Sequence, residues 1–263
     1  MLRRAAVLAF GVVSYAVFFA TFLYLVGFVA NLIVPKSIDS GTPGAIGPAF
    51  LANTLLLLVF GLQHSVMARP GFKQWWTRFV PLPIERSVYT LASSLALIAL
   101  FVLWQPMPQV IWTTEGVIAS MLTIGLLSGV GLVLLTTFLI DHFDLFGLRQ
   151  TVLYFLQRPY EEKRFVTPFL YKWIRHPLYV GWLMTFWITP VMSAGHFLFA
   201  LVMTGYILVA IPMEERDLLR ALGEPYRRWR ARTPLFVPRL RADAPQPAQT
   251  VQTVQTAQTA ESH

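Results

Sequence analysis

The stretch YKWIRHPLYVGW, residues 171–182, sets Lys172, Arg175 and His176 directly before Pro177 and an apolar run. Such a junction is either a charged flank that holds a helix end at a membrane surface or a polar site built at the mouth of a span. Both readings require a membrane, and the composition supplies that requirement. Of 263 residues, 56% are hydrophobic and only 13% are charged, against roughly 25% charged in ordinary soluble domains. So few charges cannot cover a water-exposed surface.

Working outward, six apolar segments are long enough to cross, or nearly cross, ~30 Å of hydrocarbon. They are 5–34, 46–66, 88–104, 116–140, 178–192 and 196–213. Only Ser193, Ala194 and Gly195 part the last two, which predicts a tight helical hairpin. The expected fold is therefore all-α: a polytopic membrane bundle of about six transmembrane helices. The first segment reads as a span and not as a cleaved signal, because its apolar run is too long and it ends in NLIVPK without a small-residue cleavage site.

Charge sorts the connections. Arg3 and Arg4 precede the first span, and Arg69, Lys73, Arg78 and Arg86 follow the second. Arg149, Arg158, Lys163, Arg164, Lys172 and Arg175 lie between the fourth and fifth, and eight arginines follow the sixth. The alternate loops hold Lys36 alone. Every second connection is basic, which places both termini and the long loops in the cytoplasm. A bacterial inner-membrane location follows as the expectation. The net charge of +8 reads as topology and contact with anionic lipid, not as nucleic-acid binding. The chain has no cysteine, which excludes disulfides and thiolate chemistry of its own. The tail 242–263 repeats VQT and AQT without an apolar period and is expected to be disordered.

Ionisable groups near apolar spans are costly, so their clustering is informative. They collect at the expected cytoplasmic ends: Gln63, His64 and Arg69; Glu85, Arg86 and Tyr89; Asp141, His142 and Asp144; then Arg175 and His176. Arg69, Lys73 and Arg78 read as headgroup anchors, and His196, at the other end of a span, as an interfacial residue. No two histidines lie within five residues of one another, so no helical metal motif is present and no metal is assigned. The phosphate-cradling loops GxGxxG and GxxxxGK[ST] are missing, as is the nucleophile elbow GxSxG.

RHPLYVG (175–181), a following hairpin, Glu214-Glu215 and LLRALGEPYRRWRARTPLFVP resemble the C-terminal signature of the isoprenylcysteine carboxyl methyltransferase superfamily of membrane methyltransferases. Leu222 stands where that pattern has an aromatic, and Trp229 stands at its second tyrosine. LQHSVMARPGFKQWWTRFVPLPIERSVYTL and DHFDLFGLRQ resemble the bacterial methanethiol S-methyltransferases, in the branch related to nitric-oxide-metabolism proteins. The resemblance covers about 1–240.

The resemblance implies that S-adenosylmethionine is held at the cytoplasmic face and its methyl passed to a small thiol, methanethiol foremost, giving dimethyl sulfide. It assigns Arg175, His176, Tyr179, Gly181, Glu214, Glu215, Tyr226 and Arg230 to the cofactor. The chemistry of these residues agrees. Arg175 offers a planar fork to a carboxylate, and a helix beginning at Pro177 adds free amide donors. A glutamate at 214 or 215 accepts from an ammonium or ribose hydroxyls, and Pro212 is expected to turn the chain there. Gly181 lets a neighbouring helix or the adenosine approach. A thiol reacts as thiolate, so a base, or a hydrogen bond that stabilises the thiolate, would help at neutral pH. His64 and His142 are the candidates, with Asp141 and Asp144 orienting the His142 ring, while Gln63, Glu85 and Arg86 are expected on the acceptor side. Residues 1–145 form the acceptor region and 146–241 the cofactor region. Three other functions compete: carboxyl methylation of an isoprenylated cysteine or another lipophilic acceptor, an NADPH-dependent membrane reductase, and a non-enzymatic membrane protein of nitrogen-oxide metabolism.

Overall fold

A computed structural model describes residues 1–161 and 166–238. Lys163, Arg164 and the tail expected to be disordered lie outside the described residues. Ten α-helices follow one another among those described: α1 (Leu2–Ala30), α2 (Ile46–Ala68), α3 (Pro70–Trp76), α4 (Leu82–Leu103), α5 (Gly116–Ile140), α6 (His142–Leu145), α7 (Leu148–Phe155), α8 (Pro177–Trp187), α9 (Ala194–Leu222) and α10 (Glu224–Arg232). Five of these, α1, α2, α4, α5 and α9, are long and apolar enough to cross a membrane. Their outward faces carry large bare side chains such as Val13, Leu58, Leu62, Ile124 and Val209, as expected where lipid replaces water as the solvent. The architecture is the helical membrane bundle that the sequence predicts.

The fifth expected span differs. Helix α8 has only 11 residues, about 16 Å at 1.5 Å per residue, and it stops short of Thr189-Pro190. A residue before proline is pushed out of the helical region, and proline brings no N–H to continue the ladder. The passage to α9 is completed by extended backbone ending in β2 (Val191–Ser193), which pairs antiparallel with β1 (Val110–Thr113). The tight helical hairpin is thus replaced by a strand.

Non-helical backbone at membrane depth needs partners inside the protein, and it has them. Thr114 N donates to Pro190 O at 2.9 Å, Ala194 N to Gln109 O at 2.8 Å, and Gly195 N to Met107 O at 2.9 Å. His196, expected at an interface, is instead fully buried. Its Nε2 donates to the Phe186 carbonyl at 2.9 Å, an acceptor freed because α8 ends there.

A second difference concerns Pro212. It lies inside α9, which runs on to Leu222, so it does not turn the chain. The turn falls at Gly223, whose φ of +61° suits glycine, and α10 then folds back.

Helices α5 and α8 approach closely at Gly129 and Gly181. A Cβ on Gly181 would sit 2.8 Å from Gly129 O, and one on Gly129 would sit 2.8 Å from Gly181 O. Small residues permit such backbone contact between membrane helices. The core proper lies between α1, α2, α4, α8 and α9, around Phe28, Leu57, Leu100, Trp104 and Phe199. The Trp104 indole N–H finds the Ile38 carbonyl at 2.9 Å.

Candidate active site

One end of the bundle collects the charges. His176 directly precedes α8, and its backbone is pinned from outside. Arg175 N donates to Pro234 O at 2.9 Å and His176 N to Leu235 O at 3.3 Å. This is why RHP and the distant TPLF segment belong to one unit. The guanidinium of Arg175 and Nε2 of His176 meet the same oxygen of Glu215, the latter at 3.2 Å. Nε of Arg230, brought in by α10, takes the other oxygen at 2.8 Å. Glu215 is buried, only 4% exposed, and a buried carboxylate stripped of such cations would be costly. Glu214, one residue earlier, instead accepts from the Tyr179 hydroxyl at 2.8 Å. The two glutamates therefore divide the work: 215 gathers the cations and 214 holds the tyrosine.

Tyr226 is buried in the same unit, and burial together with Glu215 and Glu214 pushes its hydroxyl pKa up to about 12. Trp229, at the position where the superfamily pattern has a tyrosine, donates its indole N–H to Tyr171 O at 3.0 Å. Burial and Glu214 also raise the Tyr171 hydroxyl. Gly181 is covered by the α5 backbone, so the approach it permits is that of a helix; the ligand role assigned to it gives way to packing.

Beside this unit lies a cavity of about 300 Å³ lined by α1, α2, α4, α5, α6, α8 and α9. Its polar end carries His64, Tyr89, Ser93, His142, Tyr179 and Tyr206. Tyr89 OH sits 3.1 Å from His64 Nδ1 and 3.0 Å from Nε2, with Ser93 Oγ 3.2 Å from Nδ1. Gly61 leaves room for the Tyr206 ring, whose hydroxyl accepts from Ser65 at 3.2 Å.

His142 lines the same cavity, but its partners are not the expected aspartates. Thr137 gives its hydroxyl proton to Leu134 O at 2.7 Å and therefore accepts from His142 Nδ1 at 2.8 Å. Nε2 then accepts from Tyr15 OH at 2.8 Å; this tautomer is assigned from the hydrogen-bond network. Both nitrogens are occupied, and burial holds the imidazole below its ordinary pKa of 6.5. Asp144 serves elsewhere. It takes Arg86 at 3.1 Å and Arg149 at 3.0 Å, tying α4 to α6 and α7. Asp141 caps α6 at 3.3 Å through Asp144 N and has φ of +139°, a strained value for a residue with a side chain.

Of the expected acceptor residues, Gln63 contacts Ser93 Oγ at 3.4 Å behind His64. Glu85 faces Lys73 at 4.0 Å, and Arg86 belongs to the Asp144 cluster. None of the three lines the cavity. Arg69, read as a headgroup anchor, instead pairs with Asp217 of α9 at 2.7 Å. Reading the sequence missed Tyr15, Thr137, Ser93 and Tyr206. Each lies in a mainly apolar run, three of them beside another hydroxyl residue (Ser14, Ser94 and Thr136), and the only signal was that polarity.

Methyl-donor binding asks for groups that take a carboxylate, an ammonium and hydroxyls. The charged unit supplies two arginines, a histidine and two glutamates, and Arg175 Nε is buried with no partner among the described residues. The donor set fits.

A model of the Isoprenylcysteine carboxyl methyltransferase (ICMT) family matches residues 144–220, the stretch that runs from the Asp144 cluster through Glu214 and Glu215. That stretch is similar to this class of membrane methyltransferases. Methanethiol S-methyltransferase 2 of Bradyrhizobium diazoefficiens is 52% identical over 243 residues, covering 92% of this chain and 93% of that one. Methanethiol S-methyltransferase of Mycobacterium tuberculosis is 48% identical over 240 residues, 90% of this chain and 98% of that one. Nurim of Bos taurus is 30% identical over 172 residues, 62% and 65% of the two chains. Within the class, the chain belongs to the family of the methanethiol S-methyltransferases. No solved structure matches it.

Proposed function

We propose that the chain transfers a methyl group from S-adenosylmethionine to a small thiol, methanethiol foremost, and releases dimethyl sulfide. The observation that carries the reading is the double membership of Tyr179. It bonds Glu214 of the charged unit and also lines the cavity that holds His64, so one side chain joins a donor site to an acceptor site. The names of the most similar relatives agree with it.

The methyl donor supplies an activated methyl on a positive sulfur, and the protein's task is alignment and proton handling. Arg175, with Nε still open, and Arg230 hold the donor's carboxylate end; Glu214 and Glu215 hold its ammonium or hydroxyls. His64 receives the thiol proton. Its ring sits at the polar end of the cavity with the Tyr89 and Ser93 hydroxyls on its nitrogens, which orient it and can relay a proton; His142, fixed between Tyr15 and Thr137, is given the part of a wall. Phe18, Phe146 and the other apolar walls exclude water, and a thiolate in a dry site is the more reactive for it. The apolar acceptor enters readily because it partitions into lipid. In this reading the protein lies in the inner membrane with both termini cytoplasmic, supported by the basic alternate connections. The N-terminal region supplies His64 and the C-terminal region the donor site.

The test uses membranes containing the protein, S-adenosylmethionine and methanethiol, with headspace detection of dimethyl sulfide. Product is expected, and His64→Gln is expected to lower turnover by about 10²-fold or more while S-adenosylmethionine still binds by calorimetry. Absence of both product and binding refutes the reading. Binding without product refutes only the acceptor.

A further inference from the structure

The cavity is larger and deeper than methanethiol needs. From its polar end it descends along α2 from His64 to Leu57 and along α4 from Tyr89 to Leu100, about 10 Å and about 16 Å at the rise of an α-helix. Its floor is Leu25, Leu57, Leu100, Phe186 and Phe199, all nine-tenths or more buried. Apart from Thr21, Ser94 and Trp182 partway down, its polar lining gathers at the His64 end. At about 300 Å³ the cavity reaches the lower end of the range of ordinary ligand pockets, roughly 300–1,000 Å³, while methanethiol has a single carbon beside its sulfur. A buried water needs two to four polar partners, which the leucines and phenylalanines of the floor do not offer. A purine or ribose would likewise leave its polar edges unpaired there. The shape fits a molecule with one reactive polar head and one apolar tail.

Resting on the thiol methyltransferase reading, we infer that the acceptor class extends to aliphatic thiols carrying a tail of several carbons, the sulfur at His64 and the tail on the Leu57–Leu100–Phe199 floor. The transfer is the same for every member. The S–H bond breaks and its proton passes to His64; the thiolate electron pair forms the new S–CH3 bond. The bond between that methyl and the donor's sulfur breaks with its pair left on the donor, which departs as a neutral thioether.

The test is a series of methane-, ethane-, butane- and hexanethiol on the full chain in membranes with S-adenosylmethionine, following formation of S-adenosylhomocysteine. Each added methylene is expected to raise kcat/KM by about fourfold until the floor is reached. Because long thiols also concentrate in lipid, the same membranes carry variants. Leu57→Trp raises the floor and is expected to lose hexanethiol at least tenfold more than methanethiol. Phe199→Leu deepens it and moves the optimum to a longer chain. A readout free of the donor accompanies this: hexyl methyl sulfide is expected to raise the melting temperature of the wild type and far less that of Leu57→Trp. A chain-length profile identical in wild type and both variants overturns the inference, because lipid partition then explains it. Turnover of methanethiol alone overturns the inference and leaves the thiol reading standing. Failure with every thiol overturns both.

Discussion

Replacing Gly181 with alanine tests how the bundle holds the site. The new Cβ would lie 2.8 Å from Gly129 O, 2.8 Å from Val133 Cγ2 and 2.9 Å from Val133 N, where ordinary contact begins at 3.4 Å. Two of these three atoms are helix backbone and cannot rotate away, so α8 must retreat from α5 by about 0.6 Å. A radial gap of that size forfeits a quarter to a half of each dispersion contact along the seam. Overpacking of this kind costs about 1–3 kcal/mol. At roughly 2–4 °C per kcal/mol for a chain of this size, the apparent Tm in detergent is expected to fall by about 2–12 °C. Tyr179 lies two residues from the seam, so turnover is expected to fall too, by about tenfold, since a 1 Å misplacement can cost 10²-fold. Gly129→Ala meets Gly181 O, Met184 Cβ and Thr185 N at 2.8–2.9 Å and is expected to behave alike. The double variant should lose less than the two single losses combined, because one separation relieves both contacts. Gly205→Ala, whose Cβ meets nothing within 4 Å, is the control and should be neutral or slightly stabilising. The assay is thermal unfolding with calorimetric binding of S-adenosylmethionine. If Gly181→Ala melts with the wild type but no longer binds the donor, Gly181 faces the ligand and the packing argument is wrong.

Three further outcomes follow from other contacts. Glu215→Gln removes the anion shared by Arg175, His176 and Arg230; breaking the Arg175–Glu215 pair is expected to cost about 3–5 kcal/mol and to abolish donor binding, and calorimetry that finds normal affinity would remove Glu215 from the site. Gly147→Ala combines φ of +86° with a Cβ 2.5 Å from Ser87 N, so α4 loses its seat on the α6–α7 turn; a loss above about 2 kcal/mol is expected, read as a lower Tm. His142 is held neutral by burial, its pKa below 6.5; the unfolded chain therefore binds the extra proton as pH falls through that value, and stability drops on acidification by at most about 1.4 kcal/mol per pH unit. His142→Asn should flatten the wild-type fall in Tm between pH 7.5 and 5.5, and an unchanged slope would assign the dependence to other groups.

Much of this was legible without coordinates. Hydropathy alone places α1, α2, α4, α5 and α9, because twenty or so apolar residues have few other uses. The same argument brings His64, His142, His176 and the glutamates to one membrane face. What a one-dimensional reading lacked was the reach of tertiary contacts. Thr189-Pro190 is a helix stop, yet only the β1 strand, supplied from between α4 and α5, gives the extended backbone that follows its hydrogen-bond partners. Pro212 looked like a terminus, but packing carries α9 through it.

The sequence by itself determined that the chain lies in a membrane and that most of its ionisable residues gather at alternate span ends, while the family resemblance pointed to RHPLYVG, the glutamate pair and GEPYRRW as one unit. Hydrophobic length and charge are local properties, and a linear pattern records them fully. The tertiary structure decided the partners: Glu215 with Arg175, His176 and Arg230, Glu214 with Tyr179, and His142 with Tyr15 and Thr137 in place of its neighbouring aspartates. It also decided that Gly181 meets a helix and that a deep apolar cavity runs beneath His64. Hydrogen bonds and close packing act over a few ångströms, and only folding brings residues far apart in the chain within that range.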